Sequence, residues 1–163
     1  HISNLWGHLA SIGNLALIQC FSAWRKHMNV SHMMLRAAKH GHIDVIDWLL
    51  SWKTSVLMSP FTFEMALRKA ALGGQVGMCH HLLELASKLT PNPFDNTDHY
   101  MQNTLCLAVV DGHFDVCVCL ARHGVTLPKH TNFTGGCKFS SAKRLRTVQW
   151  AVDTFGEDAC GLD

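Results

Sequence analysis

One stretch constrains the fold more than any other: Ala37-Ala38-Lys39-His40-Gly41-His42-Ile43-Asp44-Val45-Ile46-Asp47-Trp48-Leu49-Leu50. It reads as the end of one helix, a glycine stop, and an amphipathic second helix. Copies recur along the chain. Leu9-Ala10-Ser11-Ile12-Gly13-Asn14-Leu15, Ala70-Ala71-Leu72-Gly73-Gly74-Gln75-Val76 and Ala108-Val109-Val110-Asp111-Gly112-His113-Phe114 align with it on the glycine. A fifth, worn copy puts Lys143 at that anchor. Successive anchors stand 28, 33, 38 and 31 residues apart. A period of that size predicts stacked repeats, each burying its apolar face against its neighbours.

The columns behind the anchor carry the argument. Two residues on stand Leu15, Ile43, Val76, Phe114 and Leu145, and five on stand Ile18, Ile46, Cys79, Cys117 and Val148. Eight on come Phe21, Leu49, Leu82, Leu120 and Ala151; four on come Leu17, Val45, Met78, Val116 and the exception Thr147. These offsets follow one face of a 3.6-residue helix. The glycine suits the left-handed backbone of a helix C-terminus, and the small pair before it lets two helices approach closely. Ser59-Pro60, Thr90-Pro91-Asn92-Pro93 and Leu127-Pro128 interrupt the helical pattern, so connectors are expected there. His130 to Ser141 reads as a loop or irregular helix, and Gly156 to Asp163 as a fraying tail.

At these residues the pattern resembles the ankyrin repeat family, whose unit is a turn plus two antiparallel helices of about 33 residues. The likeness lies in the A-A-x-x-G-H-x-x-V-x-x-x-L-L half, carried by Ala37 to Leu50, and spans about residues 3 to 155. The T-P-L-H half is nearly absent. Such divergent repeats are similar to those of pathogen and large-virus ankyrin proteins. The resemblance implies an all-α ankyrin-like solenoid, with four clear repeats and a degenerate fifth in one domain over 1–163. The repeats run about 3–25, 31–56, 62–89, 102–125 and 131–155. It also implies a non-catalytic protein-protein interaction module, binding its partner on a concave surface as a scaffold, adaptor or targeting element. By alignment, the first helices offer Arg36, Lys39, His40, Lys69, Leu72, Val110 and Asp111 to that surface, with His8, Ser11, Ile12, Gly73 and Leu107 at the remaining equivalent positions. The hairpin tips offer Phe61, Thr62, His99 and Tyr100, with Met28 and Asn29. The alternatives are a regulatory ankyrin segment of a larger enzyme or channel, and a Cys/His enzyme.

Composition narrows the partner. Net charge is +2 with histidine neutral, and charged residues are 16% of the chain, so neither nucleic acid nor an anionic membrane is the expected partner. Arg36, Lys39 and Lys69 form a local basic patch, which an acidic protein surface would complement. Seven cysteines, mostly within apolar helical patterns, predict reduced thiols in an intracellular protein, cytoplasmic or nuclear. No apolar run approaches the ~18 residues of a membrane span. The first residues, His1 to Trp6, carry no charged-then-apolar leader, and without an initiator Met the chain reads as a piece of a longer protein.

No cofactor, metal or small-molecule substrate is expected. Cys79-His80-His81 with Cys117 and Cys119 lacks clean paired zinc spacing, and two of those cysteines fall in a core column. His80 is expected to be exposed. Gly73-Gly74 and Gly135-Gly136 sit in no phosphate-loop motif. Asp44, Asp47 and Asp115 read as solvated helix faces, and Lys143-Arg144-Leu145-Arg146 as a solvated helix start. Trp48 and Trp150 share a column expected to pack on the neighbouring repeat; Trp24 and Trp52 follow the second helices.

Overall fold

The computed structural model describes residues 2–21, 28–52, 59–94, 98–128 and 142–156. These residues are helical and contain no strand. Trp24, the 130–141 stretch with Gly135-Gly136, and the tail from 157 on lie outside them. The chain divides into two compact units, His1–Phe94 and Asp95–Asp163. The division falls in the Pro-containing connector that makes the anchor spacing longest.

The first unit holds three helix pairs: α1 (Ile2–Ile12) with α2 (Leu15–Cys20), α3 (Val30–His40) with α4 (Ile43–Leu50), and α5 (Pro60–Leu72) with α6 (Val76–Ser87). α1 packs on α3, and α3 on α5. Each pair is joined by the anchor turn. Gly41 ends α3 at φ 80°, ψ 21°. The His42 N–H then donates to the Ala37 carbonyl at 3.0 Å and the Gly41 N–H to Ala38 at 3.3 Å. This is the paired capping that satisfies orphan carbonyls at a helix end, and it needs the positive φ that glycine adopts without penalty. Gly74 repeats it, with Gln75 donating to Ala70 and Gly74 to Ala71. The residue after the anchor then makes a tight three-residue turn. Asn14, His42 and Gln75 have φ between −87° and −82° and ψ between 75° and 84°. In each case the next N–H donates back to the anchor glycine's carbonyl at 2.9–3.2 Å. That geometry is the inverse γ-turn, and it reverses the chain into the second helix.

The apolar columns become the core. Val45, Ile46 and Leu49 in α4, and Met78, Cys79 and Leu82 in α6, are at most 1% exposed. Ala37, Ala38, Ala70 and Ala71 are fully buried, as close helix approach requires. In the first pair only Ile18 follows the rule; Leu17 and Phe21 remain 42% and 46% exposed. No described pair precedes α1–α2.

The second unit holds α7 (Asp98–Asp111), α8 (Phe114–Arg122) and α9 (Ala142–Phe155). Gly112 makes the same turn at φ 77°, with His113 donating to Ala108 at 2.9 Å. Cys117 and Leu120 are fully buried. The fifth anchor is a correction: Lys143 lies inside α9, in no turn. Its register still holds in the packing. A side chain at Gly13 would run into His42, one at Gly41 into Gln75, and one at Gly112 into Arg144. Each is the residue one past the next anchor. In α9 the core columns are again filled, by Thr147, Val148 and Ala151. Arg146 stacks its guanidinium 4.1 Å over the Phe114 ring, so this basic helix start is partly held rather than simply solvated.

Candidate binding surface

The surface that the alignment singled out divides between the two units. In the first unit it falls on α1, α3 and α5. The 3.6-residue period brings His32, Arg36 and His40 onto one face of α3. Lys39 and His40 are exposed and Arg36 is half-buried. The Arg36 Nε is shut off from solvent and has no hydrogen-bond acceptor among the described residues. Neither α1 nor α3 contains an acidic residue, so nothing on these two helices neutralises the cations.

His40 registers that field. Its pKa lies below the ordinary histidine value, first because burial disfavours the imidazolium, then because the Arg36 and Lys39 charges and His42 repel it. Its ring stacks on that of His42 at 6.5 Å between centroids. On α5, Lys69 and Leu72 are half-buried. Gly73 is pressed against the backbone carbonyl of Lys39, which fixes how closely α5 approaches α3.

The expected hairpin-tip residues are instead in helices. Phe61 and Thr62 occupy the first turn of α5, and His99 and Tyr100 the first turn of α7. Ser59 is the N-cap of α5, and Pro60 fills a first-turn position where no N–H is needed. Phe61 is 63% exposed and so accessible. Thr62 is not: it is buried, with its hydroxyl 2.8 Å from that of Ser59. Its work is capping, and sequence alignment alone could not separate it from Phe61. Asn29 likewise caps α3, accepting from the His32 N–H at 3.0 Å.

In the second unit, His99 is exposed and 3.0 Å from the Asn103 amide, and Tyr100 is exposed beside it. Val110 is half-buried and Asp111 exposed at the end of α7. Asp111 gives that helix end the opposite sign from Lys39.

Two grooves on the first unit escaped the sequence reading. One, of about 430 Å³, lies between α1 and α3 and is lined by Gly7, His8, His32 and Arg36. The other, of about 320 Å³, lies between α3 and α5 and is lined by Ser31, Leu35, Ser59, Phe61, Thr62 and Met65. The signal was present as helical spacing: His32 and Arg36 share one stripe of α3, Ser31 and Leu35 the next, and Phe61 and Met65 a stripe of α5.

Cys79 and Cys117 are fully buried, and burial pushes the Cys117 thiol up to about 12. Burial also raises Cys119, against a smaller opposing pull from Arg122. Among the described residues no three His, Cys, Asp or Glu side chains converge as metal ligands. His80 is exposed near Glu84, whereas His81 Nε2 lies 2.7 Å from Asp47 Oδ1 and links α6 to α4. Trp48 packs edge-on against Trp52, with centroids 4.6 Å apart, and Trp150 sits between Phe114 and Phe155. Among the described residues no helix is long and apolar enough to cross a membrane. Comparison with family models, curated proteins and solved structures finds no match to this chain.

Proposed function

We propose that this chain is a divergent ankyrin-type stack that binds a protein partner, without catalysis, through the open face of its first helices. One observation carries the reading: Arg36, Lys39 and His40 stand together at the end of α3 with no acidic residue on α1 or α3 to pair them. A rigid helix face loses little ordering entropy on association, so a modest number of contacts can hold a partner. Its cationic character favours an acidic protein surface. The recurrent glycine turns and the seating of His42, Gln75 and Arg144 against Gly13, Gly41 and Gly112 support the stack.

The experiment is quantitative affinity capture with the wild-type chain and with Arg36→Glu/Lys39→Glu. Captured partners should fall at least tenfold with the reversal while the helical circular dichroism is unchanged. Equal capture by both proteins would remove this face as the binding surface.

A further inference from the structure

Resting on that reading, we infer that the first unit recognises an extended peptide segment bearing an oxyanion and an apolar side chain about three residues apart. The two grooves flank α3, one on each side, and their linings differ in chemistry. The α1–α3 groove is walled by Arg36, His32 and His8. All three side chains can donate hydrogen bonds to an oxyanion, and no acidic residue on α1 or α3 competes for them. The α3–α5 groove is walled mainly by Leu35, Met65 and the exposed ring of Phe61. An apolar side chain seated there gains burial, and methionine adapts to its shape.

Geometry sets the spacing. Packed helices lie about 8–10 Å apart, so grooves on either side of one helix are separated by about the same distance. An extended peptide rises about 3.3 Å per residue, so side chains about three positions apart reach both grooves. The oxyanion groove is built rather than incidental. Gly7 leaves the space that the His32 ring occupies, and any Cβ there would drive into the imidazole. The oxyanion is a carboxylate, the group that the acidic partner surface proposed above supplies.

The test is selection of random dodecapeptides on the intact chain, followed by titration of synthetic copies of the enriched sequences. Enriched peptides should carry Asp or Glu two to four positions from Leu, Ile, Met or an aromatic residue. Arg36→Gln should weaken them at least fivefold, and so should changing the peptide acid to its amide, with little further loss when both are made. Phe61→Ser should weaken peptides with the apolar residue and leave those lacking it unchanged. A phosphoserine put in place of the acid should bind more weakly, and tighter binding would overturn the carboxylate assignment. Peptides that shift α1, α3 and α5 amide resonances but show no acid-to-apolar spacing would overturn the inference and leave the protein-binding reading standing. Peptides that map elsewhere, or no enrichment at all, would overturn both.

Discussion

His42 Nε2 lies 2.9 Å from the carbonyl oxygen of Ser11. The bond joins the turn after the second anchor to the end of α1, and the same imidazole fills the space above Gly13. A carbonyl only accepts, so His42 carries its proton on Nε2 there. His42→Ala should remove this hydrogen bond and its packing together, lowering stability by about 1–2 kcal/mol in urea unfolding. An unchanged midpoint would mean that the two pairs are held by their apolar columns alone.

Gly73 and Gly77 make a matched contrast. A Cβ at Gly73 would strike the backbone carbonyl of Lys39, which cannot swing away as a side chain could. Gly73→Ala should therefore cost about 1–3 kcal/mol, as overpacking does. At Gly77, in the first turn of α6, an added Cβ meets nothing within 4 Å. Gly77→Ala should stabilise by a few tenths to about 1 kcal/mol through helix propensity. Thermal melts of the two variants, moving in opposite directions, are the check; equal shifts would contradict the close approach of α5 to α3.

Much of the local architecture could be read in advance because it rests on local rules. Gly41, Gly74 and Gly112 mark turns since only a left-handed backbone fits there, and Ile46, Cys79 and Cys117 declare a buried face by helical spacing. What was hidden depends on which neighbour an element meets. Leu17 and Phe21 belong to core columns yet stay exposed in the first described pair. Thr62 and Phe61 are adjacent in sequence, but Ser59 captures one hydroxyl and leaves the other ring open. Lys143 aligned with a turn and instead lies in α9, since without glycine nothing stops the helix from starting earlier. The oxyanion groove needs Gly7 of one helix and His32 of another, which no single period reveals.

The thiols should sort by environment. Cys20 is exposed, whereas Cys79, Cys117 and Cys119 are buried. A maleimide at pH 8 should label Cys20 at least a hundredfold faster than Cys117, whose thiolate forms only near pH 12. Peptide mass spectrometry of timed samples reads this directly. The same shift has a stability consequence. Above pH 9 the unfolded chain loses the Cys117 proton while the folded chain keeps it, so stability falls as pH rises from 9 toward 12. Cys117→Ala should flatten part of that alkaline slope, and rapid labelling of Cys117 in the folded protein would expose the core column as open.

His40 provides the test of whether the cationic face acts as one electrostatic unit. Its folded pKa is depressed, so below pH 6.5 the unfolded chain binds a proton that the folded chain resists. Stability attributable to this group is therefore complete above the unfolded value and declines as pH falls toward the folded one. Burial is the larger cause, and the Arg36 charge comes next. Arg36→Gln should raise the His40 midpoint part of the way back toward 6.5, and Lys39→Gln should raise it less, both followed by imidazole NMR titration. Raising the salt concentration should move the wild-type midpoint in the same direction as Arg36→Gln, because screening weakens the repulsion and leaves burial untouched. A midpoint indifferent to Arg36 and to salt would mean that His40 feels burial alone, and that the end of α3 presents separate charges rather than a common field to an approaching acidic partner.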